Sequence, residues 1–274
     1  MTHDYPILEF DPERPTLIEP HHTVTSVSLP ELAVACFFKD VIDDIVLRDN
    51  LVPLTAQRSE MGQHPIYEIT YRKRRIAIFH AGSGAPLSAG LLEGVIAHGA
   101  KVIIACGGAG VLDPAIPLGQ IIIPTAAIRD EGTSYHYLPP GREVAANPLG
   151  VEILREVLEC QGDPYLFGKT WTTDAIFRET RSKIQARRAE GAIVVEMETA
   201  ALFAVGAFRN VLVAQLLYAG DNVGGESWDH RDWSAQRSIR KSLFFLACEA
   251  CCDAPSVGTD AVAQASASRE AAKE

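Results

Sequence analysis

One junction constrains this chain more than any other: Val195-Glu196-Met197-Glu198-Thr199-Ala200-Ala201. The apolar run Ala192 to Val195 reads as a short buried strand, and Thr199 to Phe208 as an apolar, Ala-rich helix. Two carboxylates therefore stand where the strand hands over to the helix. Charges in such a place are costly to bury unless polar groups wait opposite them. Two arrangements satisfy them. In an open α/β sheet the carboxyl end of a strand borders the ligand crevice; a Glu there accepts hydrogen bonds from sugar hydroxyls, and Met197 offers a soft apolar surface to a ring face. Alternatively, Glu196 and Glu198 form internal salt bridges or sit at the helix N-terminus, where acids are favoured.

The rest of the chain fits a sheet of that kind. Strands are expected at 32–38, 66–71, 75–80, 101–106, 120–124, 165–173, 192–195 and 211–218, several as continuous apolar runs typical of strands covered on both faces. Helices are expected between them at 86–98, 148–160, 180–190, 199–208 and 233–252. The second of these, 148–160, carries its own punctuation: Asn147 to cap it, Pro148 at the first helical position and Gly162 just past its end. The alternation predicts an α/β fold with a mixed, mostly parallel sheet. Residues 1–30, with five prolines and three histidines, read as an N-terminal arm; 31–252 form one domain; 253–274, Ala, Ser and charge, read as a flexible tail.

Several function classes fall away. The balance of 35 acidic against 25 basic residues leaves a net charge of −10, with no electrostatic footprint for nucleic acid. The one basic cluster, Tyr71-Arg72-Lys73-Arg74-Arg75, sits between two apolar runs and reads as a solvated hairpin turn. Six cysteines lack zinc-type spacing and read as reduced core thiols, which with the absence of a signal layout or spanning run predicts a cytoplasmic protein and no membrane partner. His21, His22 and His230 have no metal-ligand partners at suitable spacing, and Ser83 lacks the Gly-x-Ser-x-Gly elbow of a hydrolase.

Two Gly-rich segments, His80-Ala81-Gly82-Ser83-Gly84-Ala85-Pro86 and Cys106-Gly107-Gly108-Ala109-Gly110, follow predicted strands and read as turns whose amides face an anion or a ribose. Neither matches a P-loop or a dinucleotide fingerprint. A third apolar strand runs into Asp221 within Tyr218-Ala219-Gly220-Asp221-Asn222. An acid raised in pKa by burial there donates a proton to a leaving group; an Asx turn before the glycines is the bland alternative.

In this order of landmarks the chain resembles the nucleoside phosphorylase and uridine phosphorylase superfamily, which includes the methylthioadenosine nucleosidases. The likeness spans about residues 32 to 250 and rests on the Gly-rich turn, Gly107–Gly110, Gly119-Gln120-Ile121-Ile122-Ile123-Pro124, Glu196-Met197-Glu198 and Asp221. It implies a three-layer α/β/α fold, cleavage of an N-glycosidic bond, no cofactor other than phosphate as co-substrate, and a homo-oligomer. It implies that Glu198 holds the ribose 2′ and 3′ hydroxyls, that Met197 packs on the sugar with Glu196 nearby, and that Gly108, Ser83 and Phe177 line the substrate. Asp221 falls where purine-cleaving members protonate the base at N7, and Asp174-Ala175-Ile176-Phe177-Arg178-Glu179-Thr180 does not supply the Gln/Arg pair of uridine-cleaving members, so a purine nucleoside is the expected substrate.

The phosphate site departs from the family. Phosphorylases usually carry Gly-Asp-Pro-x-Arg where this chain reads Phe37-Phe38-Lys39-Asp40-Val41, and an Arg where it has Ala105. Gly82, Lys39 and Arg58, the last reaching from a neighbouring subunit, are the expected substitutes. Phosphorolysis with weak phosphate binding is thus the expectation, with hydrolysis by water, or a silent nucleoside- or nucleotide-binding protein, as the alternatives.

Overall fold

The computed structural model describes residues 3–255. Ten strands carry the fold: β1 Leu32–Cys36, β2 Thr55–Ser59, β3 Gly62–Tyr71, β4 Arg74–His80, β5 Val102–Val111, β6 Ile121–Asp130, β7 Glu143–Ala145, β8 Tyr165–Thr173, β9 Ala192–Glu196 and β10 Leu212–Asn222. Six helices accompany them: α1 Lys39–Arg48, α2 Ala85–Ala97, α3 Pro148–Gln161, α4 Arg181–Ala189, α5 Thr199–Arg209 and α6 Arg237–Asp253. The central run β4-β1-β5-β10 is parallel, while β2-β3-β4 extend it as an antiparallel meander. Because β10 pairs with both β5 and β6, and β6-β8-β9 lead back to β5, five strands also close on themselves. β5 therefore belongs to the open sheet and to the closed ring at once.

Helices cover both faces. Ile42 and Ile45 of α1, Ile153, Leu154, Val157 and Leu158 of α3, and Leu243, Phe244 and Ala247 of α6 pack on one face with Val34, Ile104 and Leu216. Leu91, Leu92 and Val95 of α2 and Leu202, Phe203 and Val205 of α5 pack on the other with Ala33, Ile103 and Val213. The three layers are those the sequence predicts. Two glycines let helices approach β10 closely from opposite faces. A Cβ on Gly206 of α5 would lie 2.7 Å from Val213 Cγ2, and one on Gly150 of α3 would lie 2.7 Å from the Ala214 Cβ.

Helix α3 forms as its punctuation predicts: the Asn147 side chain accepts from the backbone of Leu149 and Gly150, and Gly162 closes it at φ +74°. The basic cluster is the β3–β4 turn, with Arg72 and Lys73 in the left-handed region. Other expectations change. Gly107–Gly110 is no turn: β5 continues to Val111, since ladders with β10 on one side and β9 at Gly110 hold it extended. β10 likewise continues past Asp221 to Asn222. The last helix starts at Arg237, because Trp233–Ala235 forms a separate 3-10 turn. Helix α1 and strands β2 and β7 do not appear among the sequence expectations; α1 is short and charged, and only Val41, Ile42 and Ile45 are buried on it, with Val46 partly so.

The N-terminal segment lies along the domain: Arg14 sits 3.7 Å over the Phe208 ring, Arg209 pairs with Glu19, and Val27 shares a hydrogen bond with His98 Nδ1. The expected tail, 253–274, lies outside the described residues from 256 onward. All six cysteines are free, with Cys160 exposed. No helix among the described residues is long and apolar enough to cross a membrane.

Candidate active site

Parallel strands β4, β1, β5 and β10 end on one edge of the sheet, and a cavity of about 880 Å³ opens there. That volume is in the range of small-molecule sites. β9 meets the end of β5 at Gly110–Val195, which delivers Glu196, Met197 and Glu198 into the same cavity. Ser83 and Gly108, expected at the substrate, and Gly82, expected at phosphate, line it too. Gly107, Gly108 and Gly110 of β5 line it without side chains, and the Tyr218 ring packs close on Gly108, where a Cβ would lie 3.0 Å from it.

The two glutamates divide the alternatives between them. Glu196 takes the internal one. Its Oε1 accepts from Thr170 Oγ1 (3.1 Å) and Thr172 Oγ1 (2.6 Å), and its Oε2 from the backbone amides of Glu198 and Thr199 (both 2.6 Å). Those amides are the first donors of α5, so Glu196 both caps the helix and meets its positive end. Glu198 has one protein donor among the described residues, the Gly84 amide at 2.6 Å to Oε1. It is 8% exposed and faces the cavity. Burial and the neighbouring Glu196 charge push its carboxyl up to about 8. Burial pushes Glu196 up as well, against its four donors. With four donors against one, Glu196 is the better held of the two as an anion.

At the other side of the cavity, Asp221 on β10 accepts the indole N–H of Trp228 on Oδ2 at 2.6 Å. Glu179, just before α4, also lines the cavity and makes no side-chain hydrogen bond among the described residues. Burial, then the Asp221 charge, pushes it up to about 7. Sequence reasoning passed over Glu179 because Thr180 beside it is a helix N-cap, a structural reason for polar residues there. It also passed over Gln215, whose Oε1 accepts from Thr199 Oγ1 at 2.9 Å; a lone amide in the apolar run Leu212–Tyr218 was the available signal. His80 ends β4 at the cavity, and burial lowers its pKa, so the ring is neutral at physiological pH. Phe177 is on the rim and 95% exposed.

The expected anion cradle does not form. The Gly82 amide is directed to His80 Nδ1 (3.2 Å), the Gly84 amide to Glu198, and the amides of 107–110 belong to a strand rather than a turn. Lys39 lies outside the cavity and pairs with Asp43 on the surface. Arg58 is exposed on β2 and does not line the cavity of its own chain. Three other arginines reach the cavity: Arg181 donates to the Glu226 carbonyl (2.7 Å), Arg240 pairs with Asp40 (2.7 Å) but keeps a buried Nε–H without a partner, and Arg188 lies 3.9 Å from Asp113, beyond hydrogen-bond distance. Among the described residues no cluster of three or more His, Cys, Asp or Glu is placed to hold a metal ion.

The sheet edge thus gathers the buried Glu196 and Glu198, the half-buried Met197 and Asp221 into one cavity of an α/β protein, and comparison with known proteins gives its family. Residues 31–248 match the phosphorylase superfamily, and the chain belongs to that family. A guanosine phosphorylase of Halorubrum lacusprofundi is 24% identical over 231 residues, covering 82% of this chain and 95% of the relative. The crystal structure of uridine phosphorylase from Vibrio fischeri ES114 superposes with a TM-score of 0.71 at 27% identity, covering 83% of this chain and 95% of that one. That of AMP nucleosidase from Bacteroides thetaiotaomicron shares the fold with a TM-score of 0.65 at 20% identity, over 81% and 87%. The matched family is one of phosphorylases, as is the Halorubrum lacusprofundi relative, so the enzymatic role is supported at that level.

Proposed function

We propose that this protein cleaves the N-glycosidic bond of a purine nucleoside with water as the nucleophile. The observation that carries the reading is the placing of Glu198 and Asp221 in one cavity, with Met197 between the glutamates. Glu198 accepts hydrogen bonds from the ribose diol, and substrate hydroxyls draw it to its ionised form. Met197 packs on the sugar. As the C1′–N9 bond lengthens, its electron pair moves onto the base, and Asp221 takes up a proton from solvent and passes it to N7. The water oxygen bonds to C1′ and releases its proton to solvent. A phosphate dianion finds less support, because the Gly82 and Gly84 amides already have acceptors and Arg181 and Arg240 are drawn to the Glu226 carbonyl and to Asp40.

Sugar product analysis tests the nucleophile. Free ribose is expected at equal rates in phosphate and phosphate-free buffer, and ribose 1-phosphate as the main product overturns the water reading. The guanosine phosphorylase relative favours one second reading, phosphorolysis with Arg58 supplied by another copy of the chain. In that case Arg58→Ala removes the phosphate-dependent rate. Lys39→Ala is silent in either case, given its place on the surface.

Glu179 points to the base class. An ionised carboxylate at that position accepts the N1–H of a 6-oxopurine, whereas N1 of a 6-aminopurine is itself an acceptor. Because Glu179 titrates at about 7, kcat/KM for inosine is expected to rise as pH passes through that value. Glu179→Gln removes this limb and lowers the inosine-to-adenosine ratio of kcat/KM about 10- to 10²-fold, the worth of one charged hydrogen bond. An unchanged ratio shows that another residue reads the base.

A further inference from the structure

The segment after β10 folds back over the strand's end. Asn222 and Asp229 exchange backbone hydrogen bonds of 2.8 and 2.9 Å, and Gly224 donates to Asn222 Oδ1 at 2.9 Å. The base of this loop is bound to β5. Val223 and Gly224 both donate to the Val111 carbonyl, and a Cβ on Gly224 would lie 2.0 Å from the Leu112 carbonyl oxygen. The far side is tied as well, since Arg231 donates to the Ile116 carbonyl at 2.9 Å. A loop fastened at both ends in this way sets where Trp228 can go.

It goes back onto Asp221. The indole Nε1–H meets Oδ2 at 2.6 Å, while the ring itself is 62% exposed and rests edge-on against His230 at 5.2 Å. Leaving that much indole in water forfeits most of the free energy its burial would supply, so packing is not what selects this pose. The hydrogen bond is. It engages one carboxylate oxygen and prevents the other from rotating freely, and Oδ1 is the oxygen nearer to the side-chain-free floor at Gly110.

We propose that Trp228 is a positioning residue for Asp221: its N–H holds Oδ2 so that Oδ1 is presented to the leaving base. This rests on the reading of Asp221 as the group that protonates the base. An indole suits the task because it donates one hydrogen bond, accepts none and does not titrate in the working range. A preset acid matters because misplaced catalytic groups cost rate out of proportion to the displacement. The role differs from stacking on the substrate, which any aromatic ring performs.

Trp228→Phe separates the two, keeping a ring and deleting the donor. Kinetics on inosine and on a 4-nitrophenyl riboside, whose leaving group needs no proton, are compared with wild type and with Asp221→Asn. On inosine the expected result is about a 10-fold loss of kcat with KM within twofold. On the 4-nitrophenyl riboside no change is expected, and Trp228→Phe adds nothing further in the Asp221→Asn background. A raised KM with kcat intact, or equal losses on both substrates, overturns the positioning role while leaving the function in place. Wild-type protein inert toward both substrates overturns the function and the role together.

Discussion

Glu198→Gln is expected to fold normally and to lose about 10²- to 10⁴-fold in kcat/KM on a purine nucleoside, the loss of two hydrogen bonds to a charged acceptor. The amide presents one acceptor where the carboxylate presents two, and its NH₂ opposes a hydroxyl donor. Gly84 keeps its acceptor if the amide oxygen takes the Oε1 position. Stability moves the other way. Folded Glu198 keeps its proton up to about pH 8, whereas its unfolded carboxyl releases it near 4.5. Between those values the folded state binds more protons, so wild-type stability falls as pH rises from about 4.5 to 8. The Gln variant lacks this slope and should melt above wild type at pH 9 and close to it at pH 4. Thermal melts across that range check the sign, and near wild-type turnover would remove Glu198 from the sugar site.

Asp221→Asn should lower kcat on inosine by about 10²–10⁴-fold, the usual worth of general acid help. Its effect on a 4-nitrophenyl riboside should be small, because that leaving group departs as a stabilised anion. The amide oxygen still accepts from Trp228, so the loop after β10 keeps its place and the fold is not at issue. Equal losses on the two substrates would make Asp221 structural. The two variants report on opposite partners of the same bond, the sugar and the base.

Much of this was legible in residues. Alternating apolar runs and the punctuation of α3 foretold the layers, and the charged break at Glu196-Met197-Glu198 foretold the site's place on the sheet. What one sequence could not separate was the fate of two glutamates two residues apart. That depended on Thr170 and Thr172 of β8, more than twenty residues away, arriving beneath Glu196. Gly107–Gly110 misled for a related reason: glycines signal turns locally, but here non-local ladders with β9 and β10 hold them extended. Glu179 stayed hidden because its neighbourhood has a sufficient structural explanation in the Thr180 cap.

β5 is shared by the open sheet and the closed ring, and every reacting partner hangs from it. Asp221 lies on β10 along one edge, the Glu196–Glu198 segment leaves β9 at its tip, and the Trp228 loop is fastened to Val111. The strand acts as a common beam: any strain along it tilts Glu198 and Asp221 in concert instead of separating them. A methyl group at Gly110, crowding Val195 and Asp221 at 3.2 and 3.3 Å, would load both arms at one point. The exposed rim at Phe177 carries no such load, so a change of side chain there leaves the beam as it is.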